Sequence, residues 1–279
     1  MRVVDRVAAV RDWRGGLHGS LGLVPTMGYL HAGHASLLRR ARRQCDHVAA
    51  SVFVNPTQFG PGEDLARYPR DLERDRALLE AEGCDLLFVP EAGEIYPAGF
   101  ETGVDVGGVA LPLEGASRPG HFRGVATVVL KLFGIFGPQR AYFGQKDAQQ
   151  LAVIRRLVRD LDVPVEVVGC PTVRETDGLA LSSRNSYLGP DERRAAPVLF
   201  RALSRAGALW DAGERDPDRL RAAMHAVLEA EPLARADYVS VADPGTLSEL
   251  RAPAASVLAS LAVFVGRSRL IDNLLLGRS

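Results

Sequence analysis

Leu21-Gly22-Leu23-Val24-Pro25 runs directly into Thr26-Met27-Gly28-Tyr29-Leu30-His31-Ala32-Gly33-His34, and an arginine-rich helical pattern follows at once. The apolar run reads as a strand, and the glycine-bearing turn delivers the chain into a helix. Two histidines flanking a small residue and a glycine at such a turn suit a nucleotide triphosphate. Imidazole N–H groups and the amides of the new helix can point at one phosphate group. Gly33 allows a close backbone approach where a Cβ would clash. The same residues also read as a helix cap, as packed side chains, or as half of a metal site whose third ligand has no recognisable spacing.

Working outward, the first 170 residues keep alternating short apolar runs with helical patterns, as βαβ units and a parallel sheet do. Residues 48–54, 85–90, 141–143 and 163–168 read as strands. Residues 69–82 read as an exposed helix, 125–136 as a buried one, and 149–161 as a helix with Ile154, Leu157 and Val158 on one face. Beyond about residue 172 the order changes to helices at 191–212 and 217–229, then strands at 238–241, 257–265 and 270–276. That order predicts a smaller α+β domain, so we expect domains at 1–172 and 173–279.

The 279 residues carry 34 Lys+Arg against 34 Asp+Glu, with no net charge, and 47% are hydrophobic. Such a balance argues against a general nucleic-acid binder, and no apolar run reaches the length of a membrane span. An acid at Asp5 interrupts what would be the apolar stretch of a secretion signal, and the three cysteines (Cys45, Cys84, Cys170) are scattered. A cytoplasmic enzyme without a disulfide framework or zinc cluster is the expectation. Only Lys131 and Lys146 among the basic residues are lysine, and only Asn55, Asn185 and Asn273 are asparagine. In a chain that uses arginine wherever either cation serves, a surviving lysine is a candidate for work that needs a compact point charge.

In a parallel sheet, ligands gather at the carboxyl ends of strands. Three segments fall there: Met27 to His34, Asn55-Pro56-Thr57-Gln58-Phe59, and Phe143-Gly144-Gln145-Lys146-Asp147. With no Gly-x-Gly-x-x-Gly and no P-loop, phosphate recognition falls to side chains and helix ends. Lys146, at the start of a helix, can reach a phosphate, or can pair locally against an unfavourable dipole. Asp147 can cap that helix or accept a ribose hydroxyl. Gln58 and Gln150 are neutral amides able to orient a hydroxy-acid, or simply solvated side chains.

Val173-Arg174-Glu175-Thr176-Asp177-Gly178-Leu179-Ala180-Leu181-Ser182-Ser183-Arg184-Asn185 opens the second domain. It resembles the mobile Lys-Met-Ser-Lys-Ser loop of nucleotidylyltransferases, and more closely the Met-Ser-Ser-Arg-Asn loop of the pantothenate synthetases (pantoate–β-alanine ligases). Pro25-Thr26-Met27-Gly28, Tyr68-Pro69-Arg70, Leu113-Glu114-Gly115, Arg118-Pro119 with His121-Phe122, Pro171 to Glu175, and Arg269 to Asn273 are similar to that family in the same order. Leu181 stands where the family usually has methionine. Tyr29 and Ala32 replace commoner residues, Gln145 replaces a frequent glutamate, and residues 191–262 match loosely.

The resemblance implies a Rossmann-like parallel sheet of nucleotidylyltransferase type and a two-step reaction. Pantoate would attack MgATP to give pantoyl adenylate and pyrophosphate, and β-alanine would then displace AMP. It further implies catalytic work by His31, His34, Lys146 and Arg184. ATP would be framed by Met27, Gly28, Gly33, Gly144, Gln145, Asp147, Val173, Leu181, Ser182 and Ser183. Gln58 would bind pantoate and β-alanine, Gln150 pantoate, and Asn55 would join them. Magnesium would enter on the phosphates with no protein metal site and no prosthetic group, and closure of residues 173–186 would exclude water. His34 is the implied proton donor, although it can serve equally as an electrostatic stabiliser. A homodimer is implied as well. Two rivals stand: another nucleotidylyltransferase, which would need cations for a phosphorylated substrate, and a silent nucleotide-binding protein.

Overall fold

The computed structural model describes residues 1–277. The chain forms two compact units, Met1–Gln145 with Gln150–Pro171, and Lys146–Gln149 with the chain from Thr172 onward.

The first unit is built on β1 (Arg2–Val4), β2 (Leu21–Thr26), β3 (His47–Val52), β4 (Leu86–Phe88), β5 (Arg140–Gly144) and β6 (Glu166–Cys170). All pairings are parallel, in the order β1-β4-β3-β2-β5-β6. Leu21, Leu23 and Val24 of β2 and Val48, Ala49 and Ala50 of β3 are fully buried, as strands covered on both faces require. The helices up to β6 are α1 (Val7–Gly15), α2 (Ala32–Gln44), α3 (Leu72–Ala81), α4 (Ala92–Ile95), α5 (Glu114–Ser117), α6 (His121–Phe136) and α7 (Ala148–Asp160).

The strand order reverses between β2 and β5, the kind of switch point at which open α/β sheets bind ligands. These two strands pair only at Gly22–Arg140 and Leu23–Ala141. Leu21 O accepts the Gln139 amide on the β5 side, whereas Thr26 O accepts the Phe53 amide on the β3 side. By alternation Pro25 faces β5, beyond the end of their pairing, so its missing N–H costs no ladder bond. Past Leu23 the two strands part.

Three expectations need correction. Residues 191–212 are not one helix but α8 (Pro190–Ala195) and α9 (Val198–Asp211), because Pro197 has no N–H to continue the ladder. Strand β6 starts at Glu166 rather than 163, since Asp162 turns at φ +49° and the Val165 amide bonds back to Val163 O. Helix α3 is not simply exposed: Leu79 is fully buried and Asp75 is 1% exposed, while Leu72 lies outside. Residues 2–4, read only as unlike a leader, form the edge strand β1.

The second unit adds α10 (Pro217–Glu229) and an antiparallel sheet of β7 (Ala234–Ala242), β8 (Ser256–Val265) and β9 (Ser268–Gly277). Leu199, Leu203 and Trp210 of α9 and Leu220 and Met224 of α10 pack with Val257, Leu261 and Val263 of β8.

Candidate active site

The β2–α2 turn realises the capping alternative in full. His31 is the N-cap of α2, and its Nδ1 accepts the Gly33 amide at 3.1 Å. His34 Nδ1 accepts the His31 amide at 3.3 Å, completing a reciprocal capping box with the rings 4.2 Å apart. The Gly33 amide that the sequence offered to a phosphate is therefore taken by His31 itself. Because an amide can only donate, both Nδ1 atoms are unprotonated, and each neutral ring carries its proton on Nε2. The histidines are thus fixed as Nε2–H donors.

Before them the chain makes two consecutive left-handed steps, Gly28 at φ +84° and Tyr29 at φ +52°. A Cβ on Gly28 would lie 2.9 Å from Val52 Cγ1 and 3.1 Å from Asp75 Oδ2, so glycine is required for space as well as for backbone. Asp75 on α3 accepts the Tyr29 amide at 2.8 Å and the Leu30 amide at 2.6 Å. Burial pushes its carboxyl above the usual range, and these two amides pull it back in part.

At the end of β3, Asn55 caps the turn Pro56–Gln58 by accepting the Thr57 amide, and its Nδ2 donates to Gln58 Oε1 at 3.0 Å and to Gly124 O at 3.2 Å. Gln58 is buried, and its Nε2 donates to Met27 Sδ at 3.3 Å, so the ends of β2 and β3 meet through predicted residues. The Gln58 carbonyl is held from the other side by His121 Nδ1 at 2.8 Å and Arg118 Nη2 at 3.3 Å. Arg118 grips Glu63 with two bonds of 2.7 and 2.8 Å, which holds that carboxyl below its ordinary range. His121 Nε2 accepts from Arg118 Nη1, and burial followed by the Arg118 charge lowers its pKa to about 4. It is a neutral Nδ1–H donor. Tyr96 Oη donates to Asn55 Oδ1 at 2.8 Å. Gln150 lies half-buried in the first turn of α7.

In the second unit Lys146 Nζ sits 3.5 Å from Asp147 Oδ1, the local pairing the sequence left open, and Asn273 Nδ2 holds the Lys146 carbonyl at 2.8 Å. Gly144 ends β5 and Gln145 begins the following turn. The Leu181 amide bonds to Val173 O at 3.0 Å, closing the 173–181 loop at its base. Arg174 anchors that base on Asp272 with bonds of 2.5 and 2.9 Å and lies 4.3 Å from the Phe200 ring. Ser182 caps the turn Ser183–Tyr187 by accepting the Arg184 amide, and Ser183 is buried. The other rare lysine, Lys131, lies 4.5 Å from the Phe100 ring centroid and 5.9 Å from that of Tyr96, a cation–π role.

Asp75, Tyr96, Arg118, His121, Asp272 and Asn273 thus support the predicted residues, although none was assigned a role from sequence. All but Asp75 and Tyr96 sit in motifs that carried the family resemblance. Asp75 gave no signal beyond one more charge on a charged helix.

The chain matches the family model described as pantoate–β-alanine ligase over residues 2–275. A pantothenate synthetase of Roseiflexus sp. (strain RS-1) is 66% identical over 276 residues, covering 99% of both chains. The crystal structure of a pantothenate synthetase from Thermus thermophilus superposes with a TM-score of 0.94 at 55% identity, covering 98% of this chain and 99% of that one. A pantoate–β-alanine ligase of Francisella tularensis, complexed with "Beta-gamma ATP and Beta-alanine", superposes at 0.82 with 34% identity, covering 99% and 97%.

Proposed function

The chain belongs to the pantoate–β-alanine ligase family, and from that premise we propose that it condenses pantoate with β-alanine, driven by ATP, to yield pantothenate. In the first step a pantoate carboxylate oxygen attacks the α-phosphorus and the bond to pyrophosphate breaks. In the second the β-alanine ammonium first gives one proton to solvent, the freed amine attacks the acyl carbon, the bond to AMP breaks, and the nitrogen gives a second proton to solvent as the amide forms. The first nucleophile is already an anion, so the protein's task is to neutralise charge on the phosphates. His31 and His34 donate Nε2–H bonds to phosphate oxygens. Lys146 and Arg184 supply the cations and Ser182 and Ser183 the hydroxyls, while Met27, Gly28, Gly33, Gly144, Gln145, Asp147, Val173 and Leu181 frame the nucleotide. Gln58 orients pantoate and β-alanine, Gln150 pantoate, and Asn55 supports Gln58.

The observation that carries the chemical reading is the reciprocal histidine cap at the end of β2. It also favours one role for His34. Loss of the Nε2 proton from a ring whose Nδ1 carries none would leave an imidazolate, so His34 acts as a neutral hydrogen-bond donor and not as an acid. Magnesium arrives on the triphosphate; among the described residues no three His, Cys, Asp or Glu side chains group to hold an ion. Residues 1–172 serve as the nucleotide- and pantoate-binding domain and 173–279 carry the phosphate-closing loop. A cytoplasmic homodimer completes the proposal. Among the described residues no helix is long and apolar enough to cross a membrane, and sedimentation tests the dimer.

The deciding experiment is exchange of labelled pyrophosphate into ATP, with pantoate present and β-alanine absent. Exchange that depends on pantoate is expected; exchange indifferent to pantoate would remove the adenylation step.

A further inference from the structure

Asp75 is a carboxylate the fold buries at a cost. Removing such a group from water is unfavourable until something compensates it, and an apolar residue on the inner face of α3 would avoid that. What compensates it is specific: its two oxygens accept the amides of Tyr29 and Leu30, the two residues immediately before His31. Those amides belong to a turn that needs holding. Tyr29 has φ +52° with a full side chain, a strained conformation for a non-glycine residue. The neighbouring Arg74 lies 5.1 Å from the Tyr29 ring centroid, so one turn of α3 grips both the backbone and the side chain of that residue. Gly28 leaves the space that Asp75 Oδ2 and Val52 occupy.

We infer that Asp75 is a positioning residue for adenylation: by clamping the Tyr29 and Leu30 amides it sets the strained turn from which His31 enters α2 as its cap, and so fixes where the paired Nε2 donors stand. The inference rests on the reading of His31 and His34 as phosphate ligands. In Asp75→Asn one oxygen still accepts, but an NH2 now faces the other amide, so the turn is released from one side while shape and volume are kept.

The test separates the two half-reactions in Asp75→Asn, Gly28→Ala and His34→Ala. It measures pantoate-dependent pyrophosphate–ATP exchange, single-turnover aminolysis of supplied pantoyl adenylate, and melting temperature. Gly28→Ala displaces the same turn with the carboxylate intact, so it carries the test should Asp75→Asn fold poorly. A misplacement of about 1 Å costs on the order of 100-fold in rate. Exchange in Asp75→Asn should fall by that order while aminolysis stays within a few-fold of the parent. The 15N shifts of His31 and His34 should lose their uniform Nε2–H pattern. Wild-type exchange in folded Asp75→Asn and Gly28→Ala, or equal loss of both half-reactions in step with the unfolded fraction, overturns the inference. Undiminished exchange in His34→Ala instead overturns the phosphate-ligand reading beneath it.

Discussion

In His31 the two ring nitrogens do separate work: Nδ1 accepts the Gly33 amide, and Nε2 holds the proton that the proposed mechanism uses. An alanine substitution therefore confounds stability with activity, costing about 1 kcal/mol for the lost cap alone. Asparagine separates them, because it is among the best N-caps and has no second nitrogen at the Nε2 position. His31→Asn should melt near the parent temperature yet lose exchange on the order of 100-fold, as removal of a transition-state donor does. Calorimetry and the exchange assay check both halves. The sequence placed the histidines at a strand-to-helix turn with capping and phosphate binding as alternatives; the structure shows the cap, made through Nδ1, and the phosphate role is the one proposed for Nε2. Asp75 was illegible for a different reason. A carboxylate in Leu72-Glu73-Arg74-Asp75-Arg76 reads as solvated, and only the docking of α3 on the turn shows that it is not.

At the scale of elements, the 173–181 loop owes its base to Arg174 and Asp272, whose side chain is nearly inaccessible. Deleting one partner leaves the other charge buried, so Asp272→Ala should destabilise by about 3 kcal/mol. Asp272→Leu combined with Arg174→Met should recover much of that, since neither charge then remains. Urea unfolding of the two single variants and the double variant measures the coupling. Periodicity located every strand of the second unit and α10, but it fused α8 and α9. An alanine- and arginine-rich run keeps its apolar period across Pro197, while the backbone there has lost a donor. The Arg174–Asp272 pair joins residues 98 apart in sequence, a relation that no local pattern carries.

Across the whole molecule, the alternation of apolar runs and helical periods sufficed for a parallel sheet followed by a smaller α+β domain, because both signals are local; the antiparallel pairing of β7, β8 and β9 came only with the structure. Strand order is not local, and it is what puts β2 beside β5. The hydrogen-bond network at Gln58 also reaches global stability through pH. His121 keeps a folded pKa of about 4 against 6.5 for the ordinary side chain, so the unfolded chain binds the proton first. Its contribution is complete above that ordinary value and declines as pH falls toward about 4, amounting to a loss of about 2 kcal/mol by about pH 5. Urea unfolding of the parent and His121→Asn at about pH 7.5 and about pH 5 should show the parent losing that much more than the variant. Finally, Pro25 faces β5 without an N–H, so β2 has no donor there with which to pair further along β5. A thermostabilising selection would favour residues that complete the missing rungs, since each adds a bond to the centre of the sheet. The same substitutions would draw shut the gap from which the histidine turn departs, so resistance to heat and catalytic competence pull on this one proline in opposite directions.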